Sequence, residues 1–172
     1  MKKYLLLIFA FLILFSCKKK ENPESGIVFS GIVPTDNNGI LMGPADPTDW
    51  KFLDSWVSDE KRLFKNQEFP LCEQDSINKI ISYPNPCNDK FALSLIISNK
   101  SIFEYVIVDQ NLINIQSRRD TLIPGGWLFE ITLNNYSQYK NSLLRMYYKI
   151  ANLDTNNKEK CEFRGHGDIK IQ

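Results

Sequence analysis

The 172-residue sequence carries 21 lysines and arginines, 20 aspartates and glutamates and one histidine, for a formal charge of +1. Near-neutrality without a basic stripe excludes the electrostatic footprint of a nucleic-acid-binding protein, and a lone histidine excludes metal sites built on two. With 43% hydrophobic and 12% aromatic residues, the chain can fill the core of one compact domain.

The first element is an apolar run from Tyr4 to Phe15, preceded by Lys2 and Lys3 and followed by Ser16 and Cys17. This is the charged, apolar and small-residue order of a signal peptide. The run falls short of the roughly 20 residues a transmembrane helix needs, and Lys18, Lys19 and Lys20 stop it. Leu14-Phe15-Ser16-Cys17 resembles the bacterial lipobox, in which the cysteine thiol is acylated before cleavage on its amino side. The resemblance implies loss of residues 1–16 and a mature amino terminus at lipidated Cys17 carrying three acyl chains. At about 0.8 kcal/mol per buried methylene, more than one chain anchors stably. The implied location is the outer membrane, with the bilayer itself as one partner. The remaining 156 residues have a formal charge of −1.

Residues 17–25 are polar, charged and broken by Pro23, and read as a solvated tether. Surface-exposed lipoproteins of the Bacteroidota resemble one another in an acidic cluster after the cysteine. The lysines found here favour a periplasm-facing protein. Residues 26–71 read as an extension. Asp36-Asn37-Asn38-Gly39 lies between apolar runs and signals a hairpin turn; a calcium loop would need a further bidentate acid that is missing. Asp46-Pro47-Thr48-Asp49 supplies a cap, a first-turn proline and an acid, which predicts one short helix over about 46–64. Its apolar face carries Trp50, Leu53, Trp56, Val57, Leu63 and Phe64. The stripe packs on its own domain or, where uncovered, makes Trp50, Leu53 and Trp56 a partner-binding patch.

From Cys72 the pattern changes to short runs rich in Ile, Val, Phe and Tyr between turn residues. Strands are predicted at Ile77–Tyr83, Lys90–Ser98, Phe103–Asp109, Leu112–Ser117, Gly126–Leu133, Leu143–Ala151 and Lys160–Ile171, the last broken at Gly165-His166-Gly167. About seven strands over 72–172 predict an all-β, immunoglobulin-like β-sandwich. Alternation turns Phe91, Leu93, Leu95 and Ile97 inward, as it does Trp127, Phe129, Ile131 and Leu133, and Leu144, Met146, Tyr148 and Ile150. Arg145, Tyr147 and Lys149 are expected to face water.

Ile81-Ser82-Tyr83-Pro84-Asn85-Pro86-Cys87-Asn88-Asp89-Lys90-Phe91 resembles the aromatic-Pro-Asn-Pro signature of the C-terminal sorting domains exported by the type IX secretion system of the Bacteroidota. Val106-Ile107-Val108-Asp109-Gln110-Asn111-Leu112 is similar to a later strand-turn pattern of that family, with Asn111 at a left-handed position usually held by glycine. The resemblance spans residues 77–172 and implies a sandwich fold. Sorting domains normally follow a large passenger, so a cargo-like role is the lesser reading of a lipobox-bearing chain. The two prolines remove backbone donors, so the first strand must leave its sheet.

In an immunoglobulin-like order the first strand runs parallel to the last. That predicts a Cys72–Cys161 disulfide in an oxidising compartment and leaves Cys87 over.

No hydrolase, zinc-protease or phosphate-loop motif occurs, and Cys87 with His166 has nothing to tie it into a catalytic pair, so no enzyme, cofactor or metal is expected. Asp75-Ser76-Ile77 and Asp120-Thr121-Leu122 resemble the acceptor pattern for O-glycosylation in Bacteroidota, with Ser76 and Thr121 as acceptors. Two function classes follow. One is a non-catalytic, lipid-anchored interaction protein, an accessory subunit with a protein partner in the outer membrane. The other is a carbohydrate-binding sandwich, which needs Trp50, Trp56, Trp127 or surface tyrosines as a planar platform in solvent.

Overall fold

Period-two alternation of large apolar side chains gives two sheets that can only hide their inner faces against each other. The computed structural model describes residues 27–29, 31–53, 55–65, 68–73 and 77–172. The described elements run β1 (Lys51–Phe52), α1 (Ser58–Lys61), β2 (Ile77–Tyr83), β3 (Lys90–Ile97), β4 (Ser101–Val108), β5 (Asn114–Leu122), β6 (Gly125–Thr132), β7 (Leu143–Leu153) and β8 (Glu159–Lys170). A five-stranded sheet in the order β1-β8-β7-β4-β5 faces a three-stranded sheet in the order β2-β3-β6, with every strand pair antiparallel. The all-β sandwich expected from the sequence is present, its seven strands being β2 to β8.

Between the sheets lie Phe91, Leu93 and Leu95 of β3, Phe103 and Ile107 of β4, Phe129 and Ile131 of β6, and Leu144, Met146, Tyr148 and Ile150 of β7. The rings of Phe103 and Phe129 join the layers at 5.2 Å. Trp127 is only half-buried against this core, stacked on Phe129 with its indole N–H donated to the Ile123 carbonyl at 2.9 Å.

Cys72 and Cys161 form the predicted disulfide, and Cys87 is free and buried. The chain on either side of β2 runs parallel to β8, through Leu71 beside Glu162 and Cys87 beside Ile171. After Tyr83 the prolines therefore carry the chain from the three-stranded sheet to the edge of the five-stranded one.

Four expectations are corrected. The helix over 46–64 shrinks to the four residues of α1. Asp46 does cap a turn, its Oδ1 accepting the Thr48 N–H at 2.8 Å. Trp50 then takes a left-handed φ of 55°, and Lys51–Phe52 pair with His166 and Gly165 of β8, because strand hydrogen bonds were on offer there. The extension is thus built into the sandwich rather than appended to it.

The predicted break at Gly165-His166-Gly167 is continuous strand, paired with β7 on one side and β1 on the other. A Cβ on Gly165 would collide with the Lys51 carbonyl oxygen, and one on Gly167 with the Trp50 indole, so these glycines admit the extension. Arg145, Tyr147 and Lys149, expected in water, are buried. The left-handed residue of the β4–β5 turn is Leu112, at φ 59°, not Asn111.

Candidate interaction surface

Each sheet has a second face turned away from the core, and the two are treated differently. On the five-stranded sheet, alternation brings Arg145, Tyr147 and Lys149 of β7 beside Glu162, Arg164, His166 and Asp168 of β8. The extension closes over them. Trp56 stacks on Phe64 at 4.9 Å and meets the edge of Tyr147 at 5.9 Å, and these three pack with Val106 and Val108 in a second apolar cluster. Leu53 packs half-buried against that cluster, and Trp50 stacks on Tyr148 in the main core. None of Trp50, Leu53 and Trp56 contributes to an exposed patch; the residues predicted for a partner hold the chain to itself.

Arg145, Lys149, Glu162, Arg164 and Asp168, all buried, are held in ion pairs. Arg145 grips Asp168 in two bonds, Nε to Oδ1 at 2.5 Å and Nη2 to Oδ2 at 2.8 Å, with Phe29 over its guanidinium at 4.3 Å. Glu162 takes Lys149 at 3.4 Å and Arg164 at 3.1 Å. Asp49 accepts the Asp168 N–H at 2.5 Å and the Val33 N–H at 3.0 Å. Burial, reinforced by the Asp168 carboxylate against the pull of those N–H donors, pushes the Asp49 carboxyl up to about 7. His166 goes the other way, to about 4, through burial and the neighbouring Arg145. It is a neutral ring at neutral pH.

The open edge of β8 is sealed by three sequence-distant segments. Cys72 donates to the Glu162 carbonyl at 3.0 Å, Leu53 to Arg164 at 2.7 Å, Trp50 to His166 at 2.9 Å and Cys87 to Lys170 at 2.9 Å. Between the last two, Asn85 inserts its side chain, donating to the Asp168 carbonyl at 2.8 Å and accepting from the Lys170 N–H at 3.0 Å.

Among the described residues, the outer face of the three-stranded sheet is met at its Tyr83 end by the hairpin around Gly39, whose Asn37 joins the cavity lining, and is open around Ile96 and Leu128. Register aligns Ile81, Ser94 and Leu128 in one row and Tyr83, Ala92 and Glu130 in the next. Leu128 is 59% exposed and Ile96 42%. Because Ala92 is small, a cavity of about 380 Å³ opens between Tyr83, Pro84, Leu128 and Glu130, with Asp89 and Lys90 also in its lining.

Three hairpin turns share one construction. Asp36, Asp109 and Asp154 each accept, through Oδ1, the N–H groups two and four residues on, at 2.8–2.9 Å. The residue three on is left-handed in each: Gly39, Leu112 and Asn157. The residue four on returns its carbonyl to the aspartate N–H: Ile40, Ile113 and Lys158. The sequence marks the first as a hairpin turn and the second as a strand-turn pattern; the shared Asp-x-Asn spacing is the signal that extends to the third.

Of the remaining predicted sites, Cys17 and Ser76 lie outside the described residues, and Thr121 is exposed on β5. Cys87 sits in the inter-sheet core, where burial pushes its thiol up to about 11, whereas His166 packs on the opposite face beside Tyr147. The sheet separates them, so they form no nucleophile and base. Among the described residues no group of three His, Cys, Asp or Glu could hold a metal ion. No family model and no curated protein matches this chain.

Proposed function

We propose that this protein is a non-catalytic, lipid-anchored accessory subunit at the outer membrane, facing the periplasm, which holds a protein partner on the outer face of its three-stranded sheet. The observation that supports the reading is the asymmetry between the two outer faces. One is closed by the extension; the other leaves Ile96, Leu128 and the Ala92 cavity in solvent. Exposed Ile96 and Leu128, set among Ser94, Lys90, Asp89 and Glu130, suit a protein surface with an apolar anchor and mixed charges around it. Kinship with the type IX sorting domains belongs to the same proposal, as a shared fold and not as a cargo role. The carbohydrate-binding reading draws less support, since Trp50 and Trp56 are buried and Trp127 lies half-buried on Phe129, which leaves it surface tyrosines such as Tyr136.

Mild-detergent capture from the native outer membrane, with crosslinking and mass spectrometry, tests the proposal. A stoichiometric partner crosslinked near Leu128 and lost in Leu128→Arg is expected. Capture of the lipoprotein alone, from a preparation in which known complexes survive, would remove the proposal.

A further inference from the structure

We infer that one pole of the sandwich rests in the lipid surface, with Ile40, Leu41, Met42 and Ile113 dipping into the bilayer interface; this rests on the reading of Cys17 as the lipidated residue. Strand register defines the pole. Val108 pairs with Arg145, whose guanidinium holds the Val28 carbonyl at 3.1 Å, and Thr35 pairs with Asn85 beside Lys170. The β4–β5 turn, the hairpin around Gly39 and the entry of the described chain at Ile27 therefore share one end of the strands. The ten residues from Lys18 to Ile27 reach at most about 35 Å from Cys17, so this is the end the anchor holds nearest the membrane.

Apolar exposure is concentrated at that end, with five residues against Ile123 in the turn after β5 at the far pole. Val28 is 73% exposed, Ile40 61%, Leu41 55%, Met42 67% and Ile113 60%. From Asn37 to Ala45 no residue carries a charge, and the aspartates on either side are occupied, Asp36 by two turn N–H groups and Asp46 by Thr48. An apolar hairpin tip in open water is an aggregation liability; at the interface of a bilayer it is a second attachment point.

The three matching turns provide an internal comparison. Hydrogen bonding is the same in all of them, so the geometry does not dictate the side chain at the fourth residue past the aspartate. At the anchor-side pole that residue is Ile40 and Ile113. At the opposite pole, where Asp154 follows the end of β7, it is the exposed Lys158. The same fold feature is apolar toward the anchor and charged away from it, which is the pattern a lipid surface imposes and a generic solvent-facing turn does not.

The test uses the full acylated chain on phosphatidylethanolamine vesicles whose acyl chains carry bromine. An environment-sensitive fluorophore is placed through Met42→Cys or, at the far pole, through Ile123→Cys; the unsubstituted chain checks that buried Cys87 stays unlabelled. The expected result is a blue shift of the label at position 42 and loss of its emission to the bromines, with neither at position 123. Adding Ile113→Lys reduces the loss at position 42. A vesicle-bound protein whose two labels respond alike would overturn the inference while leaving the anchor intact. Protein that does not co-float with vesicles would remove the anchor reading and the inference together. Crosslinking of position 42 to another protein in native membranes, without quenching, would reassign the pole as a protein contact.

Discussion

Asn85 sits against Asp168 as a one-residue strand made from a side chain. Its amide donates to the Asp168 carbonyl and accepts from the Lys170 N–H, while its own backbone exchanges two hydrogen bonds with Thr35. A carboxamide has the donor and acceptor spacing of a peptide group, so it completes the β8 edge where the chain is turning between Pro84 and Pro86.

Replacing Asn85 with Ala strands the half-buried Lys170 N–H and the buried Asp168 carbonyl at once. The expected loss is about 3 kcal/mol of unfolding free energy, from two uncompensated polar groups. Denaturant titration of Asn85→Ala that moved stability by less than about 0.5 kcal/mol would show the edge to be satisfied in another way.

Asp49 and His166 make opposite contributions to the pH dependence of stability. Asp49 titrates near 7 when folded and near 3.8 in an open chain, so between those values the folded state alone retains a proton and stability falls as pH rises. His166 titrates near 4 when folded and 6.5 when open, so over that window the unfolded state binds the extra proton and stability rises with pH. Around Asp49 lie Asp168, Asp46 and Tyr148; around His166 lie Arg145, Asp46 and Tyr147. The two slopes oppose across about pH 4–6.5, each worth at most a few kcal/mol. Relative to the native sequence, Asp49→Asn gains stability as pH rises and His166→Gln loses it. Thermal midpoints measured across that range check both signs, and parallel profiles for all three proteins would contradict the assignment.

Gly167 is the floor beneath Trp50. A methyl group there would meet the indole, so Gly167→Ala is expected to lift Trp50 off Tyr148, at a cost of about 1–3 kcal/mol, and to shift tryptophan emission to the red. Gly126→Ala on β6 is the control, since nothing lies within 4 Å of a Cβ at that position. Equal stability and unchanged emission for both variants would mean that the extension is not seated as described.

What could be read from the sequence, and what could not, divides by the range of the forces involved. β2 is legible to the residue because Ile77–Tyr83 ends at a Pro-Asn-Pro corner whose chemistry is local. The Cys72–Cys161 pairing followed from strand order. The helix over 46–64 failed because its capping signal is genuine for a single turn, and the competing offer, the edge of β8, lies more than one hundred residues away. Alternation sends Arg145, Tyr147 and Lys149 outward without saying what lies outside, so it cannot show that they are covered. The complementary series Glu162, Arg164 and Asp168 on the partner strand was the clue that these charges would be neutralised at home. The uncovered face containing Leu128 could not be read at all, because which of two outer faces is roofed depends on where the extension goes.

The seal along β8 also governs the order of events during biogenesis. Segments 49–53, 70–72 and 85–87 all wait for a strand that is synthesised after every other strand of the sandwich. Until residues 159–170 have emerged, the backbone N–H groups of Trp50, Leu53, Cys72 and Cys87 lack the carbonyl acceptors that hold them. Such first-to-last closure makes folding slow and nearly all-or-none. A chain built this way stays open along that edge until its latest strand arrives, and only then locks.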